Sequence, residues 1–351
     1  MDLYLHTFAA KLRARNGMLE VHTYFNDGDA AGLMPSAVGK KGSEAASSSL
    51  RRYEYSPHAV ECVWLQQGSS VSTDAVVLAM QHNIDLLFLD AFGHPVARVW
   101  RTAPCSNAAI QRQQLAAAQD SRAVVHVKNW VVRKLENQVH LLETFMEQAE
   151  KSGKKSKAMA NGLPLRAVLR IKSLREKVTI LQGEHIDDIA ESLRGYEGAA
   201  SRYYFEALSS LLPKQHRFST RSQHPANDAF NAFLNYAYGI LYAEVERALL
   251  LAGLNPYLGF LHRDGYQYAA MVYDFIEPYR VWADYAVFRL FNTTEIDASQ
   301  HLSSMQEGGG VWLNDAGKRL LSASFLPFLK DIPKNRRQTL LREARSFAQA
   351  L

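Results

Sequence analysis

Three segments of the 351-residue chain put ionisable side chains where packing alone does not ask for them. In GYEGAASRYYF, Glu197 is surrounded by Gly195, Gly198, Ala199 and Ala200. Small neighbours let another backbone or a ligand come close. In LNPYLGFLHRDG, His262 follows the apolar residues Leu258, Phe260 and Leu261. In MVYDFIEPYR, Asp274 and Glu277 lie three residues apart and share a face if the segment is helical. Each segment alone also has an ordinary explanation. Glu197 could be an exposed helix residue, and His262 a packed, hydrogen-bonded one. Asp-x-x-Glu ahead of Pro278 is capping-box-like. Together, carboxylates and an imidazole suit a hard divalent cation, Mg²⁺ or Mn²⁺. Such an ion polarises a phosphoryl oxygen and activates a hydroxyl nucleophile. Sequence spacing leaves open whether the three segments meet.

Two architectures must position these groups. The first hundred residues read as β-rich. Asn16-Gly17 lies between alternating apolar runs, a type I′ hairpin signal. AVECVWLQ, IDLLFLD and VARVW read as strands, DAVVLAMQHN as a short helix, and Phe92-Gly93-His94-Pro95 as a turn. Residues 27–50, rich in Gly, Ala and Ser, read as a surface loop inserted in a hairpin. Residues 101–108 read as an interdomain connection. From Ile110 onward the pattern is helical, with one long run closing at Gly253 as a C-cap. KSGKKSK at 151–157 reads as a basic linker, either a solvated loop or a nucleic-acid contact. Residues 292–309 read as flexible, with two amphipathic helices after them. Pro278 lacks an N–H, and its ring would clash with the Asp274 carbonyl in a continuous helix. A helix is therefore expected to start between Asp274 and Glu277, with Asp274 near its N-cap.

Bulk properties narrow the class. Hydrophobic residues make up 47% and charged residues 21% of the chain, a soluble globular composition. The length suits two domains. A formal charge of +5 permits a polyanionic partner without demanding one. The two cysteines, Cys62 and Cys105, form no CxxC pair, which argues against a zinc finger or a disulfide framework and for a reducing cytoplasm. No secretory signal or membrane-spanning run is evident.

The ordered motifs point further. EGAASRYYF, FSTRSQHPANDAFNAFLNYAYGIL, AGLNPYLGFLHRDG and DFIEPYR resemble, in order, the signature elements of the CRISPR-associated spacer integrases, the "Cas one" family. VSTDAVVLAMQHNIDLLFLDAFGHPVARVW and LENQ at 135–138 are similar to further stretches of that family. The loop at 27–50 is longer than the family pattern. The resemblance implies an α+β fold: a small β-sandwich-like N-terminal domain (1–100) for dimerisation and partner binding, a linker (101–109), and an all-α catalytic domain (110–351). It implies a cytoplasmic, metal-dependent DNA endonuclease and integrase. The 3′-hydroxyl of a captured DNA fragment would attack a phosphodiester of a repeat array. The expected partners are DNA, a second copy of the chain and a small dimeric protein, "Cas two".

Carried over residue by residue, the metal ligands fall on Glu197, His262 and Glu277, with Asp274 as the neighbouring catalytic acid. The expected DNA contacts are Arg202, Tyr203, Lys214, Arg217, Arg221 and Arg280. One of Tyr203 and Tyr204 is expected in the core. A mobile-element integrase of the same fold and a non-catalytic DNA-binding scaffold are the alternatives. A small-molecule metallohydrolase would require ignoring the motif order.

Overall fold

The computed structural model describes residues 1–5, 9–24, 50–90, 95–99, 108–151, 153, 161–223, 225–262, 269–294, 296–304, 310–331 and 334–351. The expected loop, the Phe92 turn, the connection and the basic linker fall mostly outside them. The chain divides into two compact units, Met1–Pro104 with Lys318–Ala323, and Cys105–Gly317 with Ser324–Leu351.

Two four-stranded sheets build the first unit. One runs in the order β1 (Asp2–Leu5), β5 (Cys62–Gln66), β7 (Asp85–Leu89), β8 (Pro95–Arg98). The other runs β4 (Leu50–Tyr55), β3 (Met18–Tyr24), β2 (Lys11–Arg15), β6 (Ser70–Val71). Asn16 and Gly17 join β2 to β3 with φ of 51° and 70°, as a type I′ turn requires. β5 is buried along its length and pairs in parallel with β1 and β7. Parallel neighbours need a crossover. α1 (Thr73–Gln81) supplies it between β6 and β7, capped by the Ser72 side chain. Leu3, Leu12, Leu19, Val63 and Leu86 share one core with Ala75 and Ala79 of α1.

Helices dominate the second unit. They are α2 (Ala108–Ala117), α3 (Ser121–Lys151), α4 (Leu163–Ile180), α5 (Asp187–Leu211), α6 (Ala229–Leu251), α7 (Ala270–Phe275) and α8 (Arg280–Thr293), followed by α9 (Asp315–Lys330) and α10 (Arg336–Ala350). The middle of α9 belongs to the first unit. α3 packs on α4, α5 and the turn between α7 and α8, and α6 packs on α8 and α10. α6 is capped by the Asp228 side chain and ends on Gly253 at φ +86°. Of the expected flexible stretch, 295 and 305–309 lie outside the described residues, and 296–304 are more regular than expected. A helical turn, Ala298–His301, leads into an antiparallel strand pair, β9 (Leu302–Ser304) with β10 (Val311–Leu313). Strands this short carry too few residues for a periodic signal. Among the described residues, no helix is long and apolar enough to cross a membrane.

Candidate active site

Glu197 sits near the middle of α5, and His262 lies on the segment after α6. Asp274 is in α7, and Glu277 opens a 3₁₀ turn, Glu277–Tyr279, between α7 and α8. All four line one pocket of about 420 Å³, open to solvent, with Val127, Trp130, Val131, Leu193, Arg194 and Leu261.

The turn exists because of Pro278, which cannot take an α-helical hydrogen bond. Tyr279 N–H bonds the Ile276 carbonyl instead, at 2.8 Å. The consequence differs from the expected N-cap. Asp274 lies in the last turn of α7 and caps no helix. Its carboxylate reaches across to the His262 segment. Oδ2 accepts the backbone N–H groups of Phe260 at 2.6 Å and Leu261 at 3.0 Å. Oδ1 accepts the His262 N–H at 3.2 Å and faces His262 Nδ1 at 2.6 Å. An ionised carboxylate only accepts, so Nδ1 donates in this contact, which leaves Nε2 of the neutral ring as the nitrogen a metal would take. The Asp274 side chain is 1% exposed and that of His262 47%.

Other contacts fix the same segment. Arg194 Nη2 donates to the Leu261 carbonyl at 2.9 Å. The buried Gln114 amide holds the Asn255 and Leu258 carbonyls, each at 2.9 Å. Gly259 is required sterically. A Cβ there would lie 2.6 Å from Ala270 Cβ and 2.7 Å from the His262 carbonyl oxygen.

Lys134 of α3 joins the carboxylates. Its Nζ donates to Glu197 Oε1 and lies 2.5 Å from Glu277 Oε2. Glu277 Oε1 accepts from Arg280 Nε at 2.8 Å. Burial alone would push the Glu277 carboxyl up, but Arg280 and Lys134 hold it down at about 2. Burial would likewise lower Lys134, and the two glutamates outweigh it and raise its pKa. The donor set fits a divalent cation in kind. Glu277 Oε2 is buried, accepts no hydrogen bond of good geometry, and already faces a cation. Among the described residues, no three His, Cys, Asp or Glu side chains yet enclose an ion-sized position.

The family model described as CRISPR associated protein Cas1 matches residues 3–326. The chain belongs to the Cas1 family. It is 34% identical over 268 residues to a CRISPR-associated endonuclease Cas1 of Archaeoglobus fulgidus, covering 74% of each chain. Its fold is like that of a casposase bound to integration product, with a TM-score of 0.75 at 18% identity, over 99% of this chain and 89% of the other. It is also like a Cas6-RT-Cas1 chain in a complex with Cas2, with a TM-score of 0.74 at 22% identity. That likeness covers all of this chain and 34% of the larger one. The β-rich start followed by helices is thus the Cas1 architecture.

In this Cas1-family chain the four expected site residues converge, although they come from four separate elements. Arg202 and Tyr203 are exposed on α5, just past Glu197, while Tyr204 is buried. Lys214 and Arg217 are exposed around the turn that follows α5. Arg221 and Arg280 are engaged internally. Arg221 donates to Asn231 at 3.0 Å and Asn235 at 2.5 Å, and Arg280 to Glu277 and to the Tyr242 hydroxyl at 3.0 Å. Both approach the Tyr238 ring face, at 5.5 and 5.2 Å.

Sequence reasoning missed Lys134 and Arg194. A signal for Lys134 was present. It falls on the buried face of α3 with Val127, Val131, Leu135 and Gln138, where a lysine needs a partner.

Proposed function

We propose that this pocket binds Mg²⁺ or Mn²⁺ through Glu197, His262 and Glu277, and that the chain cuts DNA and joins fragments into a CRISPR repeat array. The observation that carries the reading is the convergence of Glu197 and Glu277 on one buried cation, beside an imidazole whose Nδ1 is held by Asp274. A bound divalent ion there supplies Lewis-acid activation of a phosphoryl oxygen and of a hydroxyl nucleophile. Asp274 acts through His262, fixing its tautomer and ring, and is therefore a positioning residue. Arg280 holds Glu277 in register. Exposed Arg202, Lys214 and Arg217 supply phosphate contacts, and Tyr203 offers a face for stacking or lining the DNA path. Arg221 and Arg280, partly exposed, add contacts to the DNA while also bonding Asn231, Asn235, Glu277 and Tyr242.

The DNA partners are a captured fragment and the repeat array. A homodimer working with the small dimeric Cas2, in the cytoplasm of a prokaryote, completes the reading. The solved relative in a Cas1–Cas2 complex supports that assembly. Residues 1–100 are assigned to dimerisation and partner contact, and 110–351 to catalysis. The casposase likeness keeps a mobile-element integrase in view, and a flanking repeat array with a Cas2 gene separates the two.

The test is incubation of the protein, with and without Cas2, with a labelled DNA fragment and a supercoiled repeat plasmid. Covalent joining to the repeat in Mn²⁺ or Mg²⁺, abolished by EDTA, is expected. Joining that persists in EDTA would overturn the metal reading.

A further inference from the structure

Lys134 is 5% exposed, on a helix face otherwise given to packing. Burying an ammonium is costly unless it is closely paired. Here the pairing joins two carboxylates from different elements. Glu197 Oε1 accepts from Lys134 and from Ser201 Oγ, the latter at 2.9 Å. Glu277 divides its oxygens, Oε1 to Arg280 and Oε2 to Lys134. α3 grips the Glu277 turn at neighbouring positions as well. Asn137 Nδ2 donates to the Pro278 carbonyl at 2.7 Å. Arg133 and the Tyr279 hydroxyl share Glu343 Oε2, at 2.6 and 2.7 Å. The register of α3 against this turn therefore sets the lysine between the two glutamates.

We propose that Lys134 is the resident counter-ion of the divalent-cation site. Its ammonium keeps Glu197 and Glu277 together before the ion arrives, and the ion enters by displacing it from both oxygens. This rests on the metal reading above. Two carboxylates aimed at one point repel each other without a cation between them. A lysine suits an exchangeable role, being a point charge on a flexible four-carbon stem. Arg280, whose Nε holds the other oxygen of Glu277 while Nη1 is tied to the Tyr242 hydroxyl, is the fixed partner. Metal binding is then an exchange of one cation for another, and Lys134 weakens apparent metal affinity while stabilising the metal-free fold. Lys134 is a positioning residue by this account.

The experiment compares wild type with Lys134→Met, using Mn²⁺ alone as probe. Mn²⁺ affinity is read by calorimetry, and thermal midpoints are measured in EDTA and in saturating Mn²⁺. The Met variant is expected to melt lower in EDTA, to bind Mn²⁺ roughly tenfold more tightly, and to regain most of the lost stability when loaded. A second measurement needs no folded variant except for assignment. In wild type carrying ¹³C-labelled lysine ε-methylenes, the Lys134 signal, identified by its loss in Lys134→Arg or Lys134→Met, should shift along the Mg²⁺ binding curve. Wild type that binds Mn²⁺ while Lys134→Met binds it equally or more weakly would overturn the proposal alone. So would a Lys134 signal that stays still as Mg²⁺ saturates. Wild type that binds neither ion would overturn the metal reading, and this proposal with it.

Discussion

The His262 ring is tied to Asp274 by an Nδ1 to Oδ1 contact of 2.6 Å, and the same oxygen also accepts the His262 backbone N–H. One carboxylate thus sets both the path of the segment and the orientation of its imidazole. That places Asp274 one step behind the chemistry, in the role that carboxylates play behind metal-bound histidines.

Asp274→Asn sets an amide N–H₂ against N–H donors that now have a carboxylate. Leaving buried donors unsatisfied costs about 1–3 kcal/mol. The variant should melt lower, bind metal more weakly, and recover part of its activity as Mn²⁺ is raised. Glu277→Gln should cost more activity and recover less. Nicking rates at saturating Mn²⁺, with both variants verified as folded, decide the matter. The reverse ranking would make Asp274 the third ligand.

Glu197→Ala and His262→Ala should each abolish nicking and integration yet leave DNA affinity near that of wild type. The side chains are 30% and 47% exposed, so truncation leaves no sealed cavity. Binding titrations beside activity assays check this. Near-normal turnover in either variant, in both Mn²⁺ and Mg²⁺, would remove that residue from the ligand set.

DNA affinity should fall steeply with salt, log affinity dropping by roughly 0.9 per phosphate neutralised for each unit of log salt. Alanine at Arg202, Lys214 or Arg217 should lower that slope, and weaken binding to unrelated sequences alike. Arg221→Ala should differ by reducing thermal stability as well, because its guanidinium bridges Asn231 and Asn235. An unchanged salt slope in the triple variant would direct the search to another face.

Asp284 gives the protein a pH dependence of its own. It is buried and accepts from the Tyr204 and Tyr238 hydroxyls at 2.8 and 2.7 Å, with Arg221 and Arg280 nearby. Burial raises its carboxyl to about 6, while the tyrosine hydrogen bonds and the two arginines oppose the rise. A folded-state value above the unfolded one means that the folded state holds an extra proton between roughly pH 4 and 6. Stability from this group is therefore present at low pH and lost as pH rises through that window. Asp284→Asn should flatten that part of the stability profile. Urea unfolding of both proteins from pH 4 to 8 measures the difference. A parallel pair of profiles would show that Asp284 is ionised throughout.

The sequence alone determined the local elements, because local physics decides them. Asn16-Gly17 can take positive φ and so turns the β2–β3 hairpin. Asp228 and Gly253 bound α6 through capping chemistry. Pro278 forbids a straight helix through the acidic pair. The ordered motifs also carried the family and the residue types of the site. Tertiary structure alone decided which atoms meet. Asp274 could have capped a helix, but the chain brings the N–H groups of residues 260–262 to it, and four donors outcompete a cap. Arg221 and Arg280 fall at positions expected to meet phosphates, and only the fold shows that each also bonds internally, to Asn231 and Asn235 and to Glu277. Lys134 gained a role through helix register, since its partners lie 63 residues away at Glu197 and further still at Glu277. Contacts at such separations depend on how whole helices pack, and side-chain spacing along the chain does not encode that geometry.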